Sequence, residues 1–126
     1  MKIHAALAGI SLLAIETSPF IYFVEKNPVY VDRVREIFKY LDNGLIAVIT
    51  SAVTLTETLT KPIKDGNGKL EKGYRDLFAY TQNLRLYPIE DTTADLAANL
   101  RARYNLKTPD ALQVSVAIES SCQAFP

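Results

Sequence analysis

Only one cysteine and one histidine occur in this chain, and its net charge is zero. A lone thiol, Cys122, cannot close an intrachain disulfide or build a cysteine-based zinc site, and it fits a reducing cytoplasm. His4 stands by itself in an apolar run, too isolated for a catalytic pair, and reads as structural. The 14 Lys and Arg residues offset 14 Asp and Glu residues, so any surface for nucleic acid has to come from local charge distribution. No apolar run reaches the roughly 18 residues that a membrane span needs. Tandem repeats, low-complexity tracts and a dividing linker are also missing.

Lys2 precedes a nearly unbroken apolar run over residues 3–15, the outline of a signal peptide. His4 and Ser11 interrupt that run, no small-residue cleavage site follows it, and Glu16 closes it. A strand buried on both faces has the same appearance, and residues 12–15 are its surest part.

What is present is ordinary globular material: 126 residues, 48% apolar and 22% charged, enough for one domain with a core. Ser18-Pro19 reads as a helix start before a short apolar helix over residues 20–24. Asn27-Pro28 repeats the signal, and Val31, Val34, Phe38 and Leu41 form one helical face. Asn43-Gly44 ends that helix. A β-branched strand over residues 45–49 follows, then a helix capped by Thr50 or Ser51 that ends before Pro62. Residues 64–73 read as a glycine-rich loop, residues 74–81 as a helix and residues 84–88 as a third strand. Thr92 and Asp95 have the spacing of a capping box, opening a helix with Leu96, Leu100 and Tyr104. Thr108-Pro109-Asp110 starts a last helix reaching about residue 120, and residues 122–125 open a fourth strand. Alternating strands and helices predict an α/β fold, a three-layer parallel sheet with helices on both faces, over a single domain at residues 1–126.

In such sheets, sites form beyond the carboxyl ends of the strands. Glu16-Thr17-Ser18 and Thr50-Ser51 fall there by position. Asp110 lies in the first turn of its helix, and Glu57 about two turns into its own. Read singly, Asp110 is equally a helix-dipole residue, Glu57 a solvated helix position and Glu16 a strand terminator.

Read with their neighbours, these residues resemble the motifs of a known family. Ile15-Glu16-Thr17-Ser18-Pro19-Phe20-Ile21-Tyr22-Phe23 is similar to the first motif of the PIN domain family, where an aspartate normally stands at the position of Glu16. Thr50-Ser51 with Glu57 resembles the second motif. Lys107-Thr108-Pro109-Asp110-Ala111-Leu112 resembles the third and most specific one. The three stand in the family's order across nearly the whole chain.

The resemblance implies a small α/β nuclease that cleaves RNA with Mg²⁺ or Mn²⁺, and many such domains are the toxin half of bacterial toxin–antitoxin pairs. It implies Glu16, Glu57 and Asp110 as catalytic, metal-holding carboxylates, with Thr17 on a metal-bound water or a phosphate oxygen. Hard cations favour such oxygen donors. It implies RNA as substrate, a cognate antitoxin protein as partner, a homodimer and a cytoplasmic location, with Phe20, Tyr22, Phe23 and Tyr30 expected at the dimer interface. Two departures bear on activity. Glu16 is one methylene longer than the usual aspartate, and the family's further acidic segment is expected beyond the fourth strand, where this sequence stops at Pro126. The alternative is a non-catalytic PIN-like binding protein that keeps the dimer and antitoxin surfaces. A receiver domain would need a phosphoacceptor aspartate after its middle strand, and a haloacid-dehalogenase-like phosphatase two aspartates after its first. Neither pattern is present.

Overall fold

Strands and helices alternate through residues 12–120, the part of the chain described by the structure, which is a computed structural model. The expected strand residues 3–11, His4, Cys122 and the expected strand at residues 122–125 lie outside the described residues. Within them, three parallel strands form one sheet: β1 (Leu12–Ala14), β2 (Ala47–Ser51) and β3 (Leu84–Tyr87), with β2 in the centre. Six helices accompany it: α1 (Thr17–Val24), α2 (Val31–Asp42), α3 (Ala52–Lys64), α4 (Gly68–Tyr80), α5 (Asp91–Tyr104) and α6 (Thr108–Glu119).

The register sorts the side chains into two layers. Leu13 pairs with Val48, so both point to one face, where they join Phe20, Val34, Phe38, Leu41, Leu59, Tyr74 and Phe78 from α1 to α4. Ala14 pairs with Ile49 and both point the other way, toward α6, which packs on β2 and buries Ala111, Val116 and Ala117. Helix α5 packs on α6. The α/β, three-layer expectation therefore holds.

Phe20 anchors the first layer. Its ring meets Phe38 at 5.9 Å and Phe78 at 5.1 Å, both edge-on, and none of the residue is exposed. It belongs to the chain's own core, which corrects its expected place at a dimer interface. Phe23 stacks on Phe38 at 4.0 Å, and Tyr22 stacks on Tyr30 at 4.8 Å.

Several boundaries differ from the sequence expectation, each for a local reason. Helix α1 begins at Thr17 with Glu16 at its N-cap, so Pro19 sits inside the first turn, where a missing N–H leaves no helical acceptor unpaired. Strand β2 starts at Ala47 because the chain needs residues 43–45 to close α2. Gly44, at φ +71°, gives its N–H to Leu41, and Leu45 gives its N–H to Tyr40. Pro62 lies within α3, two residues before its end. The expected loop at residues 64–73 shrinks to a turn at residues 65–67. Asn67 caps α4 by accepting from Leu70 N–H at 3.1 Å, and Leu70, Tyr74 and Phe78 face the core at four-residue spacing. Helix α5 is capped at Glu90, whose N–H reaches Thr93 Oγ1 at 3.3 Å, rather than by Thr92 with Asp95.

Candidate active site

The motif residues gather at the carboxyl edge of the sheet. Only Ile15 and Glu16 separate β1 from α1, and Glu16 is extended (φ −78°, ψ −176°), so Thr17 opens its helix at that edge. Ser51 ends β2 and also caps α3, accepting from Val53 N–H at 3.1 Å. The strand thus passes into the helix without a loop, and Thr54 and Glu57 follow three residues apart on one helical face. Helix α6 opens after Lys107 with Pro109 and Asp110 in its first turn, where the helix dipole favours a carboxylate.

A network of hydroxyls and one amide joins these segments. Thr17 donates to Glu57 Oε1 at 2.6 Å. Thr50 donates to the Ile15 carbonyl at 2.6 Å and accepts from Thr54 Oγ1 at 2.9 Å. Ser51 donates to Gln113 Oε1 at 2.8 Å, and Gln113 Nε2 donates to Thr54 Oγ1 at 2.9 Å and Thr17 Oγ1 at 3.2 Å. Thr17 and Thr54 are themselves 3.1 Å apart. Thr50, Ser51, Thr54 and Gln113 are buried, whereas Glu16, Glu57 and Asp110 are exposed at the rim.

The structure therefore brings Thr17 and Glu57 into direct contact. Glu16 flanks them by one residue along the chain, and Asp110 lies one helical turn before Gln113. Neither Glu16, Glu57 nor Asp110 pairs with a Lys or Arg among the described residues. Among the described residues, no three His, Cys, Asp or Glu side chains group closely enough to hold a metal ion on their own. Sequence reasoning passed over Gln113 and the inward role of Thr54. The available signal was a glutamine three residues after Asp110, placed among Ala111, Leu112 and Val114.

Glu57 also borders a groove of about 410 Å³ lined by residues of α1, α3 and α4, including Ile21, Lys61 and Tyr74, and by Glu25 just past the end of α1. The Tyr74 hydroxyl donates to the Glu25 carboxylate within it. Burial, helped by that bond, holds the Tyr74 phenol well above its ordinary value.

The family model of the PIN domain matches residues 13–125. This chain belongs to the PIN domain family. Solved structures share its fold. One is VapC20 from Mycobacterium tuberculosis, titled a sarcin–ricin loop cleaving toxin: 14% identity, TM-score 0.74, covering 90% of this chain and 86% of that one. A toxin–antitoxin complex from Klebsiella pneumoniae shows 17% identity and a TM-score of 0.67 over 90% of this chain and 84% of that one. VapBC2 from Rickettsia felis, bound to a DNA fragment from its promoter, shows 18% identity and a TM-score of 0.67 over 90% and 85%. Curated protein sequences gave no significant match. No described helix of this PIN domain is long and apolar enough to cross a membrane.

The donor chemistry at the sheet edge suits a hard divalent cation. Among the described residues, the rim candidates Glu16, Glu57, Asp110 and Thr17 offer oxygen from carboxylates and a hydroxyl, with no thiol or imidazole beside them. Mg²⁺ keeps several waters and does not require a complete protein cage.

Proposed function

We propose that this PIN domain is a divalent-metal-dependent endoribonuclease of the toxin type, hydrolysing RNA phosphodiester bonds with Glu16, Glu57 and Asp110 as the residues that would hold Mg²⁺ or Mn²⁺. The observation that carries the reading is the Thr17–Glu57 bond at 2.6 Å, set in a network that ties all three motif segments to one sheet edge. When bound, the metal supplies an acidified water and neutralises charge on the scissile phosphate.

The chain's own residues prepare the site for that chemistry. Thr17 fixes one oxygen of Glu57 by the hydrogen it donates. Asp110 stands in the first turn of α6, at the positive end of that helix's dipole. The absence of Lys or Arg partners among the described residues leaves all three carboxylates available to a cation. Thr17 is the hydroxyl nearest Glu57 and would contact a coordinated water or a phosphate oxygen.

The fold neighbours include toxin–antitoxin complexes, which supports a cognate antitoxin protein as partner and a cytoplasmic location. A homodimer is part of the same reading, with exposed Val29 and Tyr30, at the turn between α1 and α2, on its surface. Glu16 in place of the family's aspartate favours a second reading, a binding protein that keeps these partners without turnover. Thermal melts with and without Mn²⁺ test the site. Melting should rise with Mn²⁺ in the parent chain and not in Asp110→Ala, because binding to the folded state alone stabilises it. No rise in the parent, or an equal rise in the variant, would reject the assignment.

A further inference from the structure

Gln113 is 5% exposed and lies on the inward face of α6 beside Ala111, Val116 and Ala117. An amide is costly in such surroundings unless its polar atoms are paired, and an apolar side chain would fill the place more simply. Its donors and acceptor are engaged in one consistent direction. Ser51, whose oxygen already accepts from Val53 N–H, gives its hydrogen to Gln113 Oε1. Gln113 Nε2 then gives one hydrogen to Thr54 and one to Thr17.

The hydroxyl hydrogens leave no slack. Thr50 spends its one hydrogen on the Ile15 carbonyl, so Thr54 gives its own hydrogen to Thr50 and accepts from Gln113. Thr17 accepts from Gln113 and gives its single hydrogen to Glu57, a carboxylate that only accepts. Rotating the Gln113 amide by half a turn would set its carbonyl against Thr17, whose hydrogen is already committed to Glu57. Hydrogen bonds aligned in series polarise one another, so the chain of donors ends with a strengthened bond on Glu57.

We propose that Gln113 is a positioning residue: through Thr17 it fixes the Glu57 carboxylate, and by tying α6 to α1 and α3 it sets Glu57 against Asp110, one turn away on its own helix. This rests on the metal-site reading above for its consequence, though not for the linkage itself. A glutamine that merely fills and satisfies the core would hold the helices together without transmitting anything to Glu57, which it does not touch.

Two measurements separate these roles. In side-chain amide ¹H–¹⁵N spectra of the metal-free protein, Glu57→Gln, a change at an exposed position, should displace the Gln113 amide pair. That displacement should vanish in a Thr17→Val background. In Mn²⁺ titrations, Gln113→Met should bind about tenfold or more weakly than the parent, the usual scale for residues that orient metal ligands, and Gln113→Asn, which keeps a shortened amide, should fall between. An unmoved Gln113 amide in Glu57→Gln overturns the proposal. So does parental Mn²⁺ affinity in Gln113→Met or Gln113→Asn. Failure of the parent chain to take up Mn²⁺ while the amide response persists overturns the metal-site reading alone and leaves the Gln113–Thr17–Glu57 linkage standing.

Discussion

Thr17→Val removes one hydroxyl and almost no volume, so its cost can be worked from the hydrogen bonds alone. Two bonds disappear: the donation to Glu57 at 2.6 Å and the acceptance from Gln113 Nε2 at 3.2 Å. They do not count equally. Glu57 is exposed, so its released oxygen is taken up by water and that loss is small. Gln113 is buried and is left with a hydrogen lacking an acceptor, whereas Thr54 keeps its bond to Thr50. A buried polar group stranded in this way costs about 1–3 kcal/mol, less if the group turns to another partner. The sum comes to about 2 kcal/mol. At roughly 4 °C per kcal/mol for a domain of this size, melting should fall by about 8 °C. Thr17→Ser keeps the hydroxyl and should recover most of the loss. Calorimetry on the metal-free proteins measures it, and a Thr17→Val melting temperature within about 1 °C of the parent would refute the donor accounting.

Other outcomes follow from the same structure. Glu16→Asp should raise metal-dependent cleavage by about tenfold or more in single-turnover assays, since misplacement of a reacting group by about 1 Å can cost a hundredfold; lower activity would show that the longer side chain is the fitted one. Phe20→Ala, at a fully buried ring between Phe38 and Phe78, should cost about 3–5 kcal/mol in urea denaturation, and a cost below about 1 kcal/mol would contradict its core placement. Tyr74 titrates above its ordinary value of 10.0 in the folded state, so its contribution is complete below that pH and is lost as pH rises toward the folded value. Stability should therefore decline above about pH 10, and Tyr74→Phe should flatten that decline; an unchanged alkaline slope would assign the loss to other groups.

The sequence order of strands and helices was enough to read the α/β class, because buried parallel strands and proline-marked helix starts are local signals. The three motif segments were legible for the same reason. What escaped was decided at long range. Glycines at 66, 68 and 73 suggested a loop, yet the apolar spacing of Leu70, Tyr74 and Phe78 against the core makes α4 a helix despite their low propensity. Phe20 looked available for an interface until α2 and α4 closed over it. Gln113 reads as an ordinary polar helix residue, since its partners Ser51 and Thr17 lie 62 and 96 positions away in the chain. A hydrogen-bond network assembled from four elements leaves no periodic trace in any one of them.

Under the proposed function, Glu16, Glu57 and Asp110 together hold the metal with which this PIN domain cuts RNA. Internal cleavage of a mixed RNA pool, followed in parallel for the parent chain and Asp110→Ala with Mn²⁺ and with chelator, tests it most directly. Cleavage by the parent should require Mn²⁺ and fall by about a hundredfold or more in Asp110→Ala. Cleavage that persists in the chelator or survives Asp110→Ala, or a parent chain that cuts no RNA with either Mg²⁺ or Mn²⁺, would contradict it.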